Sequence, residues 1–330
     1  MGVGVFLERV HVKYGLYQQL DGSVLRLVKQ VGDGSIIKRF DKTPAPENPT
    51  DVVCPHFVEL KWAYGCPFDC AWCYLKGTLR FLPGKTAPII KDKNKIISHL
   101  TSFLDETNHG SSYPKEVLNT GELADSLMFE NNGHSLSKMI LPVFETQKKH
   151  RALFLSKSDY IQNILRMETS HKPIFSFTVN AIPVSKRWER KAPSPLRRLN
   201  AAKKLSETGY DVRLRIDPIM PIKNWRISYK SLIDKIFDKF TPERITVGTP
   251  RGLQSTINNC KDKSWAEYLS DRSNWGRKLD SETRFKIYST LFNHLKENHN
   301  FKKVAMCKET IEMWSSLGMD YRKIRCNCTW

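Results

Sequence analysis

Three cysteines stand close together in the stretch WAYGCPFDCAWCYLKGTLR: Cys66, Cys70 and Cys73, with aromatic residues between and beside them. Thiolates at such spacing are metal ligands, and four of them complete a structural zinc site or an iron–sulfur cluster. The C-x3-C-x2-C triplet supplies three. Cys54, a little upstream, could supply the fourth, giving a zinc site of Cys54, Cys66, Cys70 and Cys73. Zinc sites, however, favour paired C-x2-C knuckles. The other reading is a [4Fe–4S] cluster held by three cysteines, with one iron left free to bind a substrate or cofactor.

The chain around them has 330 residues, 40% hydrophobic and 26% charged, which is the composition of a soluble globular protein with a sizeable core. The N-terminal stretch MGVGVFLERVHVKYG carries Glu8, Arg9 and Lys13 and lacks the apolar centre of a signal peptide. No apolar run approaches the roughly 18 residues of a membrane span. The cytoplasm is the expected compartment, and there the eight cysteines point to metal binding or catalysis and away from a disulfide framework. The net charge of +19, from 53 basic and 34 acidic residues, attracts polyanions, nucleic acid first among them. The plainer alternative is a highly soluble surface with no specific partner.

The elements that must position the thiols follow a rhythm. Apolar runs at HFVELKW (56–62), EVLNTG (116–121), RALFLSKS (151–158), IFSFTVN (174–180), DVRLRIDPI (211–219) and RITVGTP (244–250) alternate with helical patterns. KNKIISHLTSFLDET places Ile96, Ile97, Leu100, Phe103 and Leu104 at helical spacing, and SPLRRLNAAKKLSETGY ends at Gly209. Strand–helix alternation predicts a mainly parallel sheet, and six such units make an open (β/α)6 barrel. Residues 1–50 read as a small β-rich extension ending in the Pro-rich linker DKTPAPENPTD, residues 51–255 as the partial barrel, and 256–330 as a helical region with a Cys-rich tail.

The triplet after a first barrel strand, with Trp72 before its last cysteine, resembles the radical S-adenosylmethionine (SAM) superfamily. The resemblance implies a vacant iron that chelates the methionine part of SAM, and a reduced cluster that cleaves SAM to a 5′-deoxyadenosyl radical. It carries further residues with it. Gly121-Glu122 resembles the Gly-Glu element that accepts hydrogen bonds from the SAM amino group, a task suited to a carboxylate. Lys157 could pair with the SAM carboxylate. Ser176, Thr178 and Asn180 share one face of a strand; facing inward they could bind ribose hydroxyls, Asn180 first, because α/β sites gather at the strands' C-terminal ends.

Within that superfamily, CAWCYLKGTLR, GELADSL, LFLSKSDYI, the long segment SFTVNAIPVSKRWERKAPSPLRRLNAAKKLSETGYDVRLRIDPIMP, ITVGTPRG and the terminal MCKETIEMW with CNC resemble the spore photoproduct lyase and DNA repair photolyase-like group. The likeness covers roughly residues 55 to 330. It implies hydrogen abstraction from a nucleic-acid base, DNA in the first place, by an enzyme of lyase or isomerase type: lesion reversal, or rearrangement of a modified base. It also implies an electron donor such as flavodoxin or ferredoxin. The group's hydrogen-donor cysteine, on the loop after the second barrel strand, has no counterpart, since no cysteine lies between Cys73 and Cys260. Tyr74 matches a tyrosine implicated in hydrogen transfer, or it packs as a buried aromatic.

Lys186, Arg187, Arg190 and Lys191 surround Trp188, a pattern that could bind phosphates and stack an extruded base, or else form a solvated helix face over a packed indole. Arg215 and Asp217 alternate on the fifth strand as a polar, catalytic lining of the barrel. Cys307, Cys326 and Cys328 could bind an auxiliary iron–sulfur cluster or zinc, completed by Cys260, Cys54 or a histidine, or could be plain buried thiols. Two rivals stand beside this reading: a radical SAM enzyme acting on a peptide or small metabolite, and a zinc-stabilised nucleic-acid-binding protein.

Overall fold

The computed structural model describes residues 8–43, 45–108, 112–169 and 173–330. Part of the N-terminal stretch read for a leader, residues 1–7, and Pro44 of the linker lie outside the described residues.

A ten-stranded sheet organises the chain, its strands following one another in space as in sequence. They are β1 (Val12–Gln18), β2 (Val24–Val31), β3 (Ile37–Phe40), β4 (Phe57–Leu60), β5 (Val117–Asn119), β6 (Arg151–Ser156), β7 (Ile174–Val179), β8 (Asp211–Ile216), β9 (Ile245–Val247) and β10 (Val304–Met306). β1 to β4 pair antiparallel, and β4 to β10 run parallel. The parallel strands are apolar without alternation because both of their faces are covered: every residue of β4, β7 and β9 is buried. All six expected strands are present. A seventh, β10, was not expected, because Val-Ala-Met alone is too short to read as a strand beside a strongly helical stretch.

The covering helices include α1 (Lys93–Asn108), α2 (Leu136–Phe144), α3 (Pro195–Glu207), α4 (Trp225–Phe237) and α5 (Ser281–His299). Their starts follow from local chemistry. Ser135, Ser194 and Asp280 each accept a hydrogen bond from the backbone N–H three residues on, and Pro195 opens α3 where its missing N–H costs nothing.

The N-terminal strands extend the same sheet. Arg39 of β3, fully buried, pairs with Glu116 just before β5 and donates Nε to Val28 O at 2.9 Å. On the far side, Val52–Val53 pair antiparallel with Glu309–Thr310, so the segment before β4 is tied to the segment after β10. The chain's end closes the barrel at the N-terminal ends of the strands. Buried Asn327 donates to Ser176 Oγ (2.7 Å) and Leu214 O (2.9 Å), and its Oδ1 accepts from Thr246 Oγ1 (2.7 Å). Arg213 and Arg244 hold the carbonyls of Cys326, Asn327 and Thr329. A hollow lined by Arg151, Tyr210, Asp211 and Trp330 opens at this end, away from the Cys66 loop.

Candidate active site

The triplet sits on the loop after β4, at the C-terminal ends of the parallel strands. Its shape depends on Gly65, at φ +80°, where a Cβ would lie 2.3 Å from Ala87 O. Gly65 N–H donates to Leu123 O (2.8 Å), which ties the thiol loop to the loop after β5, and Cys66 N–H donates to Thr86 O (2.9 Å). On its other side Cys70 pairs in register with Glu189 and Asp69 with Arg190, while Ala71 N–H donates to Trp188 O (2.7 Å). The three thiols are therefore fixed by segments far apart in sequence.

All eight cysteines are free thiols. Burial pushes Cys70 up to about 12, against the opposing pull of Lys157. Burial and nearby Asp125 raise Cys66, and burial raises Cys73 although Leu75 N–H and Lys157 act the other way. Thiols so placed become thiolates only when a metal's own charge offsets their burial. Among the described residues, these three sulfurs are not mutually within 4.8 Å, the spacing a single ion requires. A donor set of three thiols, more widely spaced and carrying no disulfide, fits a [4Fe–4S] cluster. Cys54 does not join them. The charges that act on it are those of Lys308, Cys307, Cys328 and Glu122, and among the described residues no three of Cys54, Cys66, Cys70 and Cys73 lie within 4.8 Å of one another, which speaks against the four-cysteine zinc site.

Behind the loop lies an ion pair. Glu189 and Arg198 are both fully buried, 2.7 Å apart, and Lys157 Nζ is 3.9 Å from Glu189. Arg198 also donates to Thr178 O (2.9 Å) and Pro193 O (2.7 Å). Arg198 lies three or four residues from buried Pro195, Ala201 and Ala202, the helical spacing of an inward face.

Glu122 follows Gly121, whose absent Cβ would lie 2.5 Å from Leu155 Cβ. The Glu122 carboxylate receives Asn119 Nδ2 (3.1 Å) and Tyr74 Oη (3.2 Å), and the Tyr74 hydroxyl also meets the Glu122 carbonyl. Tyr74 is 38% exposed as a whole, but its hydroxyl lies against Glu122, where desolvation and the Glu122 charge push the phenol well up, so it holds its proton. Asp125, missed from the sequence, orients the adjacent strand end. It accepts from Ser156 Oγ (2.6 Å) and Lys157 N–H (2.7 Å).

Arg215 and Asp217 both point into the barrel. Arg251 grips Asp217 with Nη2 at 2.9 and 2.7 Å; burial would raise the Asp217 carboxyl, but Arg251 and Arg215 hold it below the usual carboxylate range. Arg215 reaches Cys307 Sγ (3.5 Å) and Cys328 Sγ (3.2 Å).

Three expectations need correction. Ser176 Oγ is occupied by Asn327, so it is not free for a ribose. Asn180 is fully buried and spends its amide on Pro218 O (2.8 Å), Tyr229 Oη (2.8 Å) and Ala181 N (2.9 Å); it ties β7 to the segment after β8. Trp188, 0% exposed, donates Nε1 to Ser264 Oγ (2.9 Å) and packs on Trp72 and Tyr268, so it cannot stack an extruded base. An indole beside the thiol loop contributes more as a floor for that loop than as a surface platform. Lys186, Arg187, Arg190 and Lys191 remain exposed, with Arg187 over the Trp188 ring and Arg190 3.4 Å from Asp262. Among the described residues no helix is long and apolar enough to cross a membrane.

Known proteins resemble this chain in sequence and in fold. A spore photoproduct lyase of Clostridium acetobutylicum is 23% identical over 184 residues, 55% of this chain and 52% of that protein. One of Bacillus subtilis is 24% identical over 183 residues, 54% of this chain and 50% of that protein. The chain thus spans about half the length of the curated relatives it matches. A solved spore photoproduct lyase complexed with dinucleoside spore photoproduct superposes with a TM-score of 0.63 at 18% identity, over 76% of this chain and 75% of that one. A mutant of that lyase with bound AdoMet and dinucleoside spore photoproduct gives 0.62, at 18% identity over 76% of each chain. At such identities the superpositions establish the fold. The sequence match to the family described as spore photoproduct lyase runs from residue 57 to 248, from the first parallel strand through the thiol loop, Glu122, Lys157 and Asp217, and by it the chain belongs to that family.

Proposed function

We propose that this protein is a radical SAM enzyme of lyase or isomerase type that acts on a nucleic-acid base, DNA in the first place. Cys66, Cys70 and Cys73 would hold a [4Fe–4S] cluster. When bound, the cluster supplies the electron that cleaves SAM to the radical which takes a hydrogen atom from the base. The observation that carries this reading is the lock between the two loops: Gly65 N–H to Leu123 O fixes the three thiols against the loop presenting Glu122.

The chain's own residues then have distinct tasks. Glu122, already an acceptor for two donors, offers a carboxylate to an ammonium group of the cofactor. Lys157 supplies positive charge beside Cys70 and Cys73, where a carboxylate of the cofactor would meet it. The loop after β5 offers no thiol. Tyr74, a protonated phenol against Glu122, is the transferable hydrogen we assign to this face. Exposed Lys186, Arg187, Arg190 and Lys191 flank the thiol loop and suit phosphate contacts, with Trp188 beneath them as a support.

The test is anaerobic incubation with SAM, dithionite or a flavodoxin or ferredoxin donor, and ultraviolet-irradiated oligonucleotides. 5′-Deoxyadenosine should form, deuterium should pass between base and cofactor, and Cys66→Ala should abolish both. Turnover by Cys66→Ala would overturn the assignment. Oligonucleotide binding should weaken with salt, and the slope should fall by roughly one for each phosphate contact removed at Lys186, Arg187 or Lys191.

A further inference from the structure

The reading above uses three of the eight cysteines. Four others, Cys54, Cys307, Cys326 and Cys328, come from three separate stretches of chain and meet inside the barrel. The pairing of Val52–Val53 with Glu309–Thr310 brings Cys54 beside Lys308 and Cys307. One guanidinium, that of Arg215, touches Cys307 Sγ at 3.5 Å through Nη1 and Cys328 Sγ at 3.2 Å through Nη2. Cys326 and Cys328 flank Asn327 on one turn, and Cys54 lies within electrostatic reach of both and of Cys307. The remaining cysteine, Cys260, is elsewhere, its thiol on Ile257 O.

Packing alone does not call for this. A core position that needs a small apolar side chain is filled as well by alanine or valine, and what sets cysteine apart is its chemistry. The tail is also pinned where it matters. Asn327, between two of the cysteines, makes buried bonds to Ser176, Leu214 and Thr246, so the turn that presents Cys326 and Cys328 is fixed.

We infer that these four thiols ligate a second iron–sulfur cluster, inside the barrel and beside Glu122. Four thiolates are a complete ligand set. A single zinc ion at about 2.3 Å from each sulfur would hold the sulfurs about 3.8 Å apart. Among the described residues no three of these thiols are mutually within 4.8 Å, so the wider span of a polynuclear cluster fits better. Arg215 supplies what such a group needs around it: a positive charge against the ligating thiolates and a buried Nε–H with no partner, available to sulfide. Asn119 links this centre to the first loop, with Nδ2 3.9 Å from Cys328 Sγ and 3.1 Å from Glu122 Oε1.

The inference goes beyond the proposed function and is tested separately from it. The full chain and the variant Cys66→Ala/Cys70→Ala/Cys73→Ala are reconstituted without oxygen with ferrous iron and sulfide, and iron, sulfide and circular dichroism are measured. The triplet-free variant should keep roughly four iron atoms and the unaltered chain roughly eight. Cys326→Ser/Cys328→Ser should lower the unaltered chain's content to roughly four, and Cys260→Ser should leave it at roughly eight. A folded triplet-free variant without iron and sulfide overturns the inference. If that variant does not fold, an unaltered chain holding roughly four iron atoms, unchanged by Cys54→Ser, overturns it equally. Iron at the second centre with none at the triplet would overturn the proposed function and leave this inference standing.

Discussion

A carboxylate buried behind the thiol loop has consequences out of proportion to its size. Glu189 is the lone acid of the segment Lys186–Lys204, and it sits fully buried against Arg198, in register with Cys70. Removing one partner of a buried pair leaves an uncompensated charge, at a cost of about 3–5 kcal/mol. Arg198→Met should therefore lower the urea-derived stability by that amount and reduce iron retention, while Arg197→Ala, on an exposed pair with Asp159, should change stability by less than about 1 kcal/mol. Glu122 sits at the same scale but acts on the cofactor. Glu122→Gln keeps the shape and loses the charge; a charge-assisted hydrogen bond contributes about 1.5–3 kcal/mol, so SAM affinity by calorimetry should fall roughly 10- to 100-fold. Iron content should not change, since Glu122 is not placed as a ligand. A sequence reader could name Glu122 from its motif. Arg198 is a cation on the same helix as Arg197 and Lys203, and only its spacing to Pro195, Ala201 and Ala202 hinted at an inward face; the direction of the side chain decides its burial.

The elements that carry these residues are short strands joined by glycine-dependent loops. Gly65 works because its φ of +80° and its contact with Ala87 O leave no room for a Cβ. Gly65→Ala should cost at least about 1–3 kcal/mol in strain and should release the thiol loop. Its signature would be reduced iron per chain with circular dichroism preserved. The strands themselves were readable wherever they form continuous apolar runs, as in IFSFTV, for which burial on both faces is the physical cause. β10 was not readable because three residues carry no period. The polar face of β7 was visible as an alternation, but its use was not. Ser176 and Asn180 satisfy buried partners from the tail and from α4, and those partners are distant in sequence.

For the whole molecule, closure at the barrel's base is the feature to perturb. Asp211 lies there, held by Arg213 (3.1 Å) and Arg151 (2.8 Å), and Arg213 in turn holds the tail. Burial raises the Asp211 carboxyl, but the two arginines outweigh it and keep it below the usual range. Its folded-state value lies below the unfolded value of about 3.9. The contribution to stability is therefore complete above that pH and is lost as pH falls through the lower folded value. The urea midpoint of the natural chain should drop more steeply between about pH 5 and 2 than that of Asp211→Asn, the variant being the less stable at pH 7. Asn327→Ala strands the partners of a buried amide and should cost about 1–3 kcal/mol. From the amino-acid order alone came the parallel α/β architecture, and the thiol triplet and Gly121-Glu122 as motifs, because period, spacing and side-chain type are local properties. Tertiary structure alone decided that Trp188 is a floor and not a platform, that Asn180 and Ser176 are already bonded, and that the last residues bring two thiols to Cys54 and Cys307. Those outcomes depend on which buried polar groups find one another across the barrel, and that pairing is set by three-dimensional closure, which no window of sequence contains.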